Sequence, residues 1–330
     1  MPSIMLLLVI LSSIALQFTA VNSIGVCYGV QGDNLPSRQE VKDLYKSNGI
    51  TSMRIYFPDE EALQALRGSN IEVLLDVAKE TLQSLTNSAS ASDWVNKFVV
   101  PYSDVNIKYI AVGNEIMPGD VEAKYILPGI QNIQQAISSA NLQGKVKVST
   151  AIRMDLLENT FPPRDGKFTD SATPYIKPII DFLVSNGAPL LANIYPYFAY
   201  SDPNTNIALD FALFRQQGTN DQYQNLFDAM LDSIYYALEK IGGQNLQVVV
   251  SESGWPSAGG NKGPSVDNAR TYYQNLINHV KVGGTPKHKG PIKTYLFAMF
   301  DENQKPGLQT EKHFGLFNPD KSPKYGISFK

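Results

Sequence analysis

Short apolar runs alternate along the chain with longer amphipathic stretches. The strand-like runs are Ile24 to Tyr28, Ser52 to Tyr56, Ile71 to Val77 and Ile107 to Val112, then Lys147 to Ala151, Leu190 to Tyr195, Gln247 to Val250 and Thr294 to Phe300. Val248-Val249-Val250 is apolar without interruption, as a parallel strand covered on both faces requires. The stretches between them carry helical periodicity. Ala269, Tyr272, Tyr273, Leu276, Ile277 and Val280 recur at the spacing of one helix face. Ser37-Arg38-Gln39-Glu40, just after Pro36, has the form of a capping box and marks a helix start. Eight strand–helix units in one sheet predict a single-domain α/β fold, a closed (β/α)8 TIM barrel. A doubly wound open sheet is the rival arrangement. No linker or low-complexity segment divides the chain.

The opening segment has a different pattern. Residues Ile4 to Leu16 are almost wholly apolar, yet the run is shorter than the roughly 20 residues a membrane-spanning helix needs. A more polar stretch follows and ends in Val21-Asn22-Ser23, where the small residues Val21 and Ser23 suit cleavage of a signal peptide, so residues 1–23 are expected to be removed and 24–330 to form the mature domain. Secretion gives the cysteine count a meaning. A single Cys, Cys27, cannot form an internal disulfide, so a domain of this size must rely on its core. Cys27 itself reads as a small buried hydrophobe. No Asn-X-Ser/Thr sequon is present.

Composition excludes several classes of function. The 330 residues carry 28 Lys and Arg against 31 Asp and Glu, a formal net charge of -3, and this mild balance leaves no footprint for nucleic acid or anionic membranes. With 43% hydrophobic and 18% charged residues the chain is not disordered. Three scattered His and one Cys make no zinc signature, so neither metal nor cofactor is expected.

In a barrel of this kind, active sites gather where the strands end. Two runs end in a carboxylate: Ala111-Val112-Gly113-Asn114-Glu115 and Val250-Ser251-Glu252-Ser253-Gly254-Trp255-Pro256. Cleavage of a glycosidic bond needs such a pair, one acid to protonate the leaving oxygen and one carboxylate to attack or to activate water. An apolar surround would raise the acid's pKa, while a hydrogen-bonded partner stays ionised. Aromatic rings complete a sugar site by stacking on flat pyranose faces. Tyr56, Tyr195 and Phe300 close their runs, and Tyr197, Phe198, Trp255 and Phe317 lie nearby. Each of these rings fits the core as well as it fits a groove.

The residues now in view carry a family resemblance. Ile24-Gly25-Val26-Cys27-Tyr28-Gly29, Met53-Arg54-Ile55-Tyr56, Ala192-Asn193-Ile194-Tyr195-Pro196-Tyr197, Phe297-Ala298-Met299-Phe300-Asp301-Glu302-Asn303 and Phe314-Gly315-Leu316-Phe317 join the two carboxylate motifs. Together, in this order, they resemble the plant β-1,3-glucanases of glycoside hydrolase family 17 from Ile24 to the C-terminus. The resemblance implies a retaining endo-β-glucanase acting on internal 1,3-β-D-glucosidic linkages, with callose, laminarin or fungal wall glucan as polysaccharide partner. It implies Glu115 as proton donor and Glu252 as nucleophile, with Asn114 on the sugar's 2-hydroxyl. It also implies an ionic cluster of Glu302, Lys305 and Glu311 beside the nucleophile. Asp301 departs from the Asn that many relatives carry, and an added negative charge there would shift the local balance if it were unsolvated. The same likeness implies an extracellular, apoplastic monomer in plant defence or wall remodelling.

Three other readings compete. A 1,3;1,4-β-glucanase shares these motifs and differs in groove shape. A binding protein that has lost activity is disfavoured, since Asn114, Glu115, Glu252, Glu302 and Lys305 are all present. A nucleotide-dependent oxidoreductase lacks its Gly-rich first turn. The groove walls are expected from Phe161 to Ser171, Ser201 to Gln222 and Ala258 to Ser265.

Overall fold

A computed structural model describes residues 24–216, 223–260 and 262–329. The expected signal segment, residues 1–23, lies outside the described residues, as do 217–222 of one expected groove wall and 261 of another.

Eight parallel strands close into a barrel: β1 (Ile24–Tyr28), β2 (Ser52–Ile55), β3 (Glu72–Asp76), β4 (Asn106–Asn114), β5 (Lys147–Arg153), β6 (Leu190–Asn193), β7 (Val248–Ser253) and β8 (Thr294–Leu296). Each pairs with its sequence neighbours, and β8 returns to β1 through Ile24 beside Thr294. The closed barrel is the predicted architecture, and the open-sheet rival is excluded. All eight expected runs are strands, with ends moved by a few residues. β4 and β7 run further than their apolar stretches suggested, so Asn114 and Glu252 belong to the strands themselves.

Burial explains both sets of elements. Every residue of β1 and β7 is buried, consistent with cover on both faces. The helix Val266–Val282 buries Ala269, Tyr272, Tyr273, Leu276, Ile277 and Val280, the face its periodicity marked. The helix Arg38–Ser47 opens with the expected capping box: Glu40 N–H donates to Ser37 Oγ, and Ser37 N–H to Glu40 Oε2. Cys27 is buried in β1, where its thiol donates to the Ser251 carbonyl at 3.4 Å.

Irregularities cluster where strands reach the mouth. The β4–β5 register shifts between Ala111 and Asn114, and the β6–β7 register between Ala192 and Asn193. Such shifts re-aim the side chains beyond them. Gly113 has φ +88°, and a Cβ there would stand 2.5 Å from Ile126 Cδ1, so only glycine fits. Glu115 follows at φ 57°, a left-handed conformation unusual for a glutamate. Its N–H is fixed by the Ala151 carbonyl at 2.9 Å. A strained backbone held at a strand end often marks a functional position.

Candidate active site

The mouth of the barrel opens into a cleft of about 930 Å³. Asn114, Glu115, Tyr56, Tyr195, Glu252, Glu302, Lys305 and Glu311 all line it, so eight of the expected site residues come together there.

The two central carboxylates have different surroundings. Glu252 receives three donors: Arg54 Nη1 at 2.9 Å and the Tyr56 hydroxyl at 2.8 Å on Oε1, and the Tyr195 hydroxyl at 2.6 Å on Oε2. This acceptor-only arrangement suits an anion. Glu115 receives one side-chain donor, Asn193 Nδ2 at 2.9 Å on Oε1. Burial raises its pKa above the ordinary carboxyl value, and the charge of Glu252 adds to the rise. Asn193, Arg153 and Arg54 oppose it.

Arg54 holds the floor together. Its side chain is wholly buried inside the barrel. Nε and Nη2 grip Asp76 at 3.2 and 2.7 Å, while Nη2 also reaches Asn114 Oδ1 at 2.9 Å and Nη1 reaches Asn193 Oδ1 at 3.2 Å. Asn193 Nδ2 donates to Asn114 Oδ1 as well, at 3.0 Å. One guanidinium therefore fixes four side chains, including Glu252, and Asn193 extends the network to Glu115. Burial pushes Asp76 up to about 6, although Arg54 lowers it.

Beside Glu252 stands the ionic cluster. Lys305 Nζ meets Glu311 Oε2 at 2.8 Å and lies 4.7 Å from the Phe297 ring centroid. Glu302 accepts from the Gln31 N–H at 3.0 Å; burial raises its pKa, while that bond and Lys305 lower it. Asp301 does not join the cluster. Lys324 pairs with both its oxygens at 2.8 Å and the Gly315 N–H donates to it, so its extra charge is neutralised away from the cleft.

Several expectations are corrected. Trp255 and Phe300, expected as sugar platforms, are buried and do not line the cleft. The Trp255 ring packs against Tyr197, Tyr200 and Tyr272, with Nε1 donating to the Gly263 carbonyl at 3.0 Å. Phe300 lies edge-on to Tyr28. Tyr197 and Phe317 are core residues too, whereas Phe198 does reach the cleft. The Phe161–Ser171 stretch lies along the helix Leu226–Lys240, where Lys240 Nζ donates to the carbonyls of Arg164, Asp165 and Gly166. Around Gly259 the Ala258–Ser265 stretch packs on Gln309 and Thr310. Of the three expected walls only Ser201–Gln222 contributes a cleft residue, Asp202, among the described residues.

The sequence reading missed Arg54, Asp76, Asn193 and Arg153. Asp76 and Asn193 end the strands β3 and β6, but in the sequence they lie inside the runs Ile71 to Val77 and Leu190 to Tyr195, so no run end marked them. Arg54 is a charge inside a strand whose four residues are all buried.

Comparison with known proteins follows the same line. The family model "Glycosyl hydrolases family 17" matches residues 24–329. A glucan endo-1,3-beta-glucosidase of Vitis vinifera is 58% identical over 331 residues, covering 97% of this chain and 95% of that protein. The isoform GII of the same enzyme from Hordeum vulgare is 54% identical, covering 94% and 93%. Among solved structures, a beta-1,3-glucanase and pollen allergen of Cryptomeria japonica superposes with a TM-score of 0.90 at 44% identity, covering 93% of this chain and 99% of that one. A structure described as one of two plant beta-glucan endohydrolases with distinct substrate specificities superposes with a TM-score of 0.89 at 42% identity, covering 92% and 100%. The chain belongs to glycosyl hydrolases family 17, and is a glycoside hydrolase built on a (β/α)8 barrel.

Proposed function

We propose that the protein is a secreted endo-1,3-β-glucanase that cleaves internal linkages of 1,3-β-glucans by double displacement. The observation that carries the mechanism is the contrast between the carboxylates: Glu252 has three donors, while Glu115 is half-buried with one side-chain donor among the described residues and has a raised pKa. A base-like carboxylate and a proton-bearing acid in one cleft are the two parts a retaining glycosidase needs.

In the first step a Glu252 oxygen attacks the anomeric carbon. The glycosidic C–O bond breaks, its electron pair stays on the leaving oxygen, and Glu115 gives that oxygen its proton. In the second step Glu115, now a carboxylate, takes a proton from water, and the hydroxide oxygen displaces Glu252 from the same carbon. Asn114, its Oδ1 engaged by Arg54 and Asn193, offers its amide N–H to the sugar's 2-hydroxyl. Lys305, Glu302 and Glu311 position the nucleophile electrostatically. The cleft is open, as a polymer threading through it requires. The 1,3-linkage comes from the names of the relatives, and secretion from the signal-like residues 1–23.

Glu252→Gln should lose on the order of 10⁴-fold or more of laminarin hydrolysis, as removal of a nucleophile does; activity near wild type would overturn the assignment. NMR of freshly released sugar should show the β anomer, and α product would overturn retention. Faster hydrolysis of barley mixed-linkage glucan than of laminarin would replace the 1,3 reading with the 1,3;1,4 one.

A further inference from the structure

A second cavity, about 740 Å³, opens at the other end of the barrel, where the strands begin. Its volume lies within the roughly 300–1,000 Å³ of small-molecule sites. The floor holds an ion pair, Lys293 Nζ to Glu72 Oε1 at 2.9 Å, with the Tyr295 hydroxyl donating to the same oxygen at 3.3 Å. On one wall Tyr235 stacks on His288, centroids 4.9 Å apart and planes 6° from parallel. Tyr109, Asn106 and Gln247 also line the cavity. Among the described residues, no hydrogen bond within the protein uses the side chains of Tyr109, His288, Asn106 or Gln247. Four polar side chains thus line one cavity with no hydrogen bond to the protein, Tyr109 and His288 half-buried, Asn106 and Gln247 exposed.

Charge narrows the ligand. An anion would meet Glu72, and a cation would meet Lys293 and, at the rim, Lys46. The paired floor is neutral overall, which leaves a neutral molecule rich in hydroxyls. Amides, a phenol and an imidazole both donate and accept, as vicinal hydroxyls require, and aromatic rings suit the flat C–H faces of a pyranose. The chemistry proposed for the mouth plays no part here, because the barrel core separates the two ends.

We propose that this basal cavity is a non-catalytic binding site for a segment of 1,3-β-glucan; the choice of glucan rests on the function proposed above. Two sites on one molecule raise retention on an insoluble polymer without any change to the bond-breaking step.

The test uses the full chain carrying Glu252→Gln, titrated calorimetrically with a linear 1,3-β-glucan hexasaccharide. Two binding sites per molecule are expected, and one after Tyr109→Ala is added. Should Tyr109→Ala not fold, His288→Ala with Gln247→Ala serves the same purpose. In the otherwise native enzyme, these basal variants should hydrolyse the hexasaccharide at the wild-type rate. Their binding to insoluble 1,3-β-glucan should weaken by about tenfold, the effect of one or two lost hydrogen bonds. A single site before and after the basal substitution, with laminarin still cleaved by the wild type, overturns the basal site alone. Absence of laminarin cleavage by the wild type overturns the activity and the basal site together. Slower hexasaccharide cleavage by a basal variant that folds normally overturns the separation of the two ends.

Discussion

Strand β3 carries an acid at each end, and the two are paired in opposite ways. At the mouth, Asp76 is gripped by two nitrogens of Arg54, and the side chains are 3% and 0% exposed. At the base, Glu72 meets Lys293 through one contact, with side chains 23% and 15% exposed. The mouth pair is dry and bonded onward to Glu252, Asn114 and Asn193, whereas the basal pair lies in a cavity open to solvent. A buried ion pair is weak evidence for stability, because desolvation cancels much of the attraction. The mouth pair is therefore explained by what it positions. A planar fork can hold several acceptors in fixed directions, which a Lys cannot do.

The largest effect should come from breaking the mouth pair. Arg54→Met leaves Asp76 and Glu252 buried without a counter-charge, and should cost about 3–5 kcal/mol in urea unfolding. In whatever folds, kcat should fall by about 10²-fold or more while KM changes less, because Glu252 loses its orientation. Arg54→Lys keeps the charge and should recover stability more than kcat, since the lost element is the fork. Near-normal kcat in Arg54→Lys would show that charge alone matters there, and the contrast with the base would shrink to one of exposure.

Much of this mouth was legible before any coordinates. Glu115 and Glu252 close apolar runs, and strand ends in a barrel point to the mouth, so pattern and topology together located the pair. Asp76 and Asn193 sit within their apolar runs, with Val77 and Ile194-Tyr195 still to follow, so the pattern hides that the strands stop at them. Arg54 is harder to read. Its neighbours Met53 and Ile55 are both buried, and only the closed barrel shows that the alternate positions of β2 face a lumen lined by acids. The failures at Trp255 and Phe300 have a related cause. Both follow strand ends, but the direction of a side chain there depends on loop path, and these two pack against other rings of the core. The walls were misplaced because loop length does not tell which flank a loop covers. Phe161–Ser171 runs down the outside of the barrel instead.

A smaller effect separates the two ends by pH. In the proposed mechanism Glu115 acts in its protonated form, so activity should fall as pH rises through its pKa, above the ordinary carboxyl value. Arg153 lowers that pKa by its charge, and it pairs with Asp155 at the cleft rim. Arg153→Gln removes a cation that favours the carboxylate. It should move the alkaline limb of kcat/KM to higher pH, by about half a unit for a partly exposed charge in water-like surroundings. Asp155→Asn frees the Arg153 charge and should move the limb the other way. Equal shifts from neutralising Lys293 would show that the profile reports net charge, and not the mouth.

The smallest effect is expected at the base. Glu72→Gln keeps the shape of the side chain and an acceptor for the Tyr295 hydroxyl, and it leaves Lys293 in contact with a solvent-open cavity. Lys293 keeps its bond to Ser52 Oγ, and water and salt screen its charge, so unfolding should change by no more than about 1 kcal/mol, the range of exposed pairs. Raising salt should shrink the difference further, because screening replaces the missing carboxylate. Hydrolysis of a short soluble glucan should be unchanged at every pH, as no bond links Glu72 to the network of Arg54 among the described residues. A loss of 3 kcal/mol, or of kcat on the short substrate, would mean that the basal pair is as dry and as coupled as the one at the mouth. In that case β3 would transmit strain between its ends, and the two sites could not be altered separately.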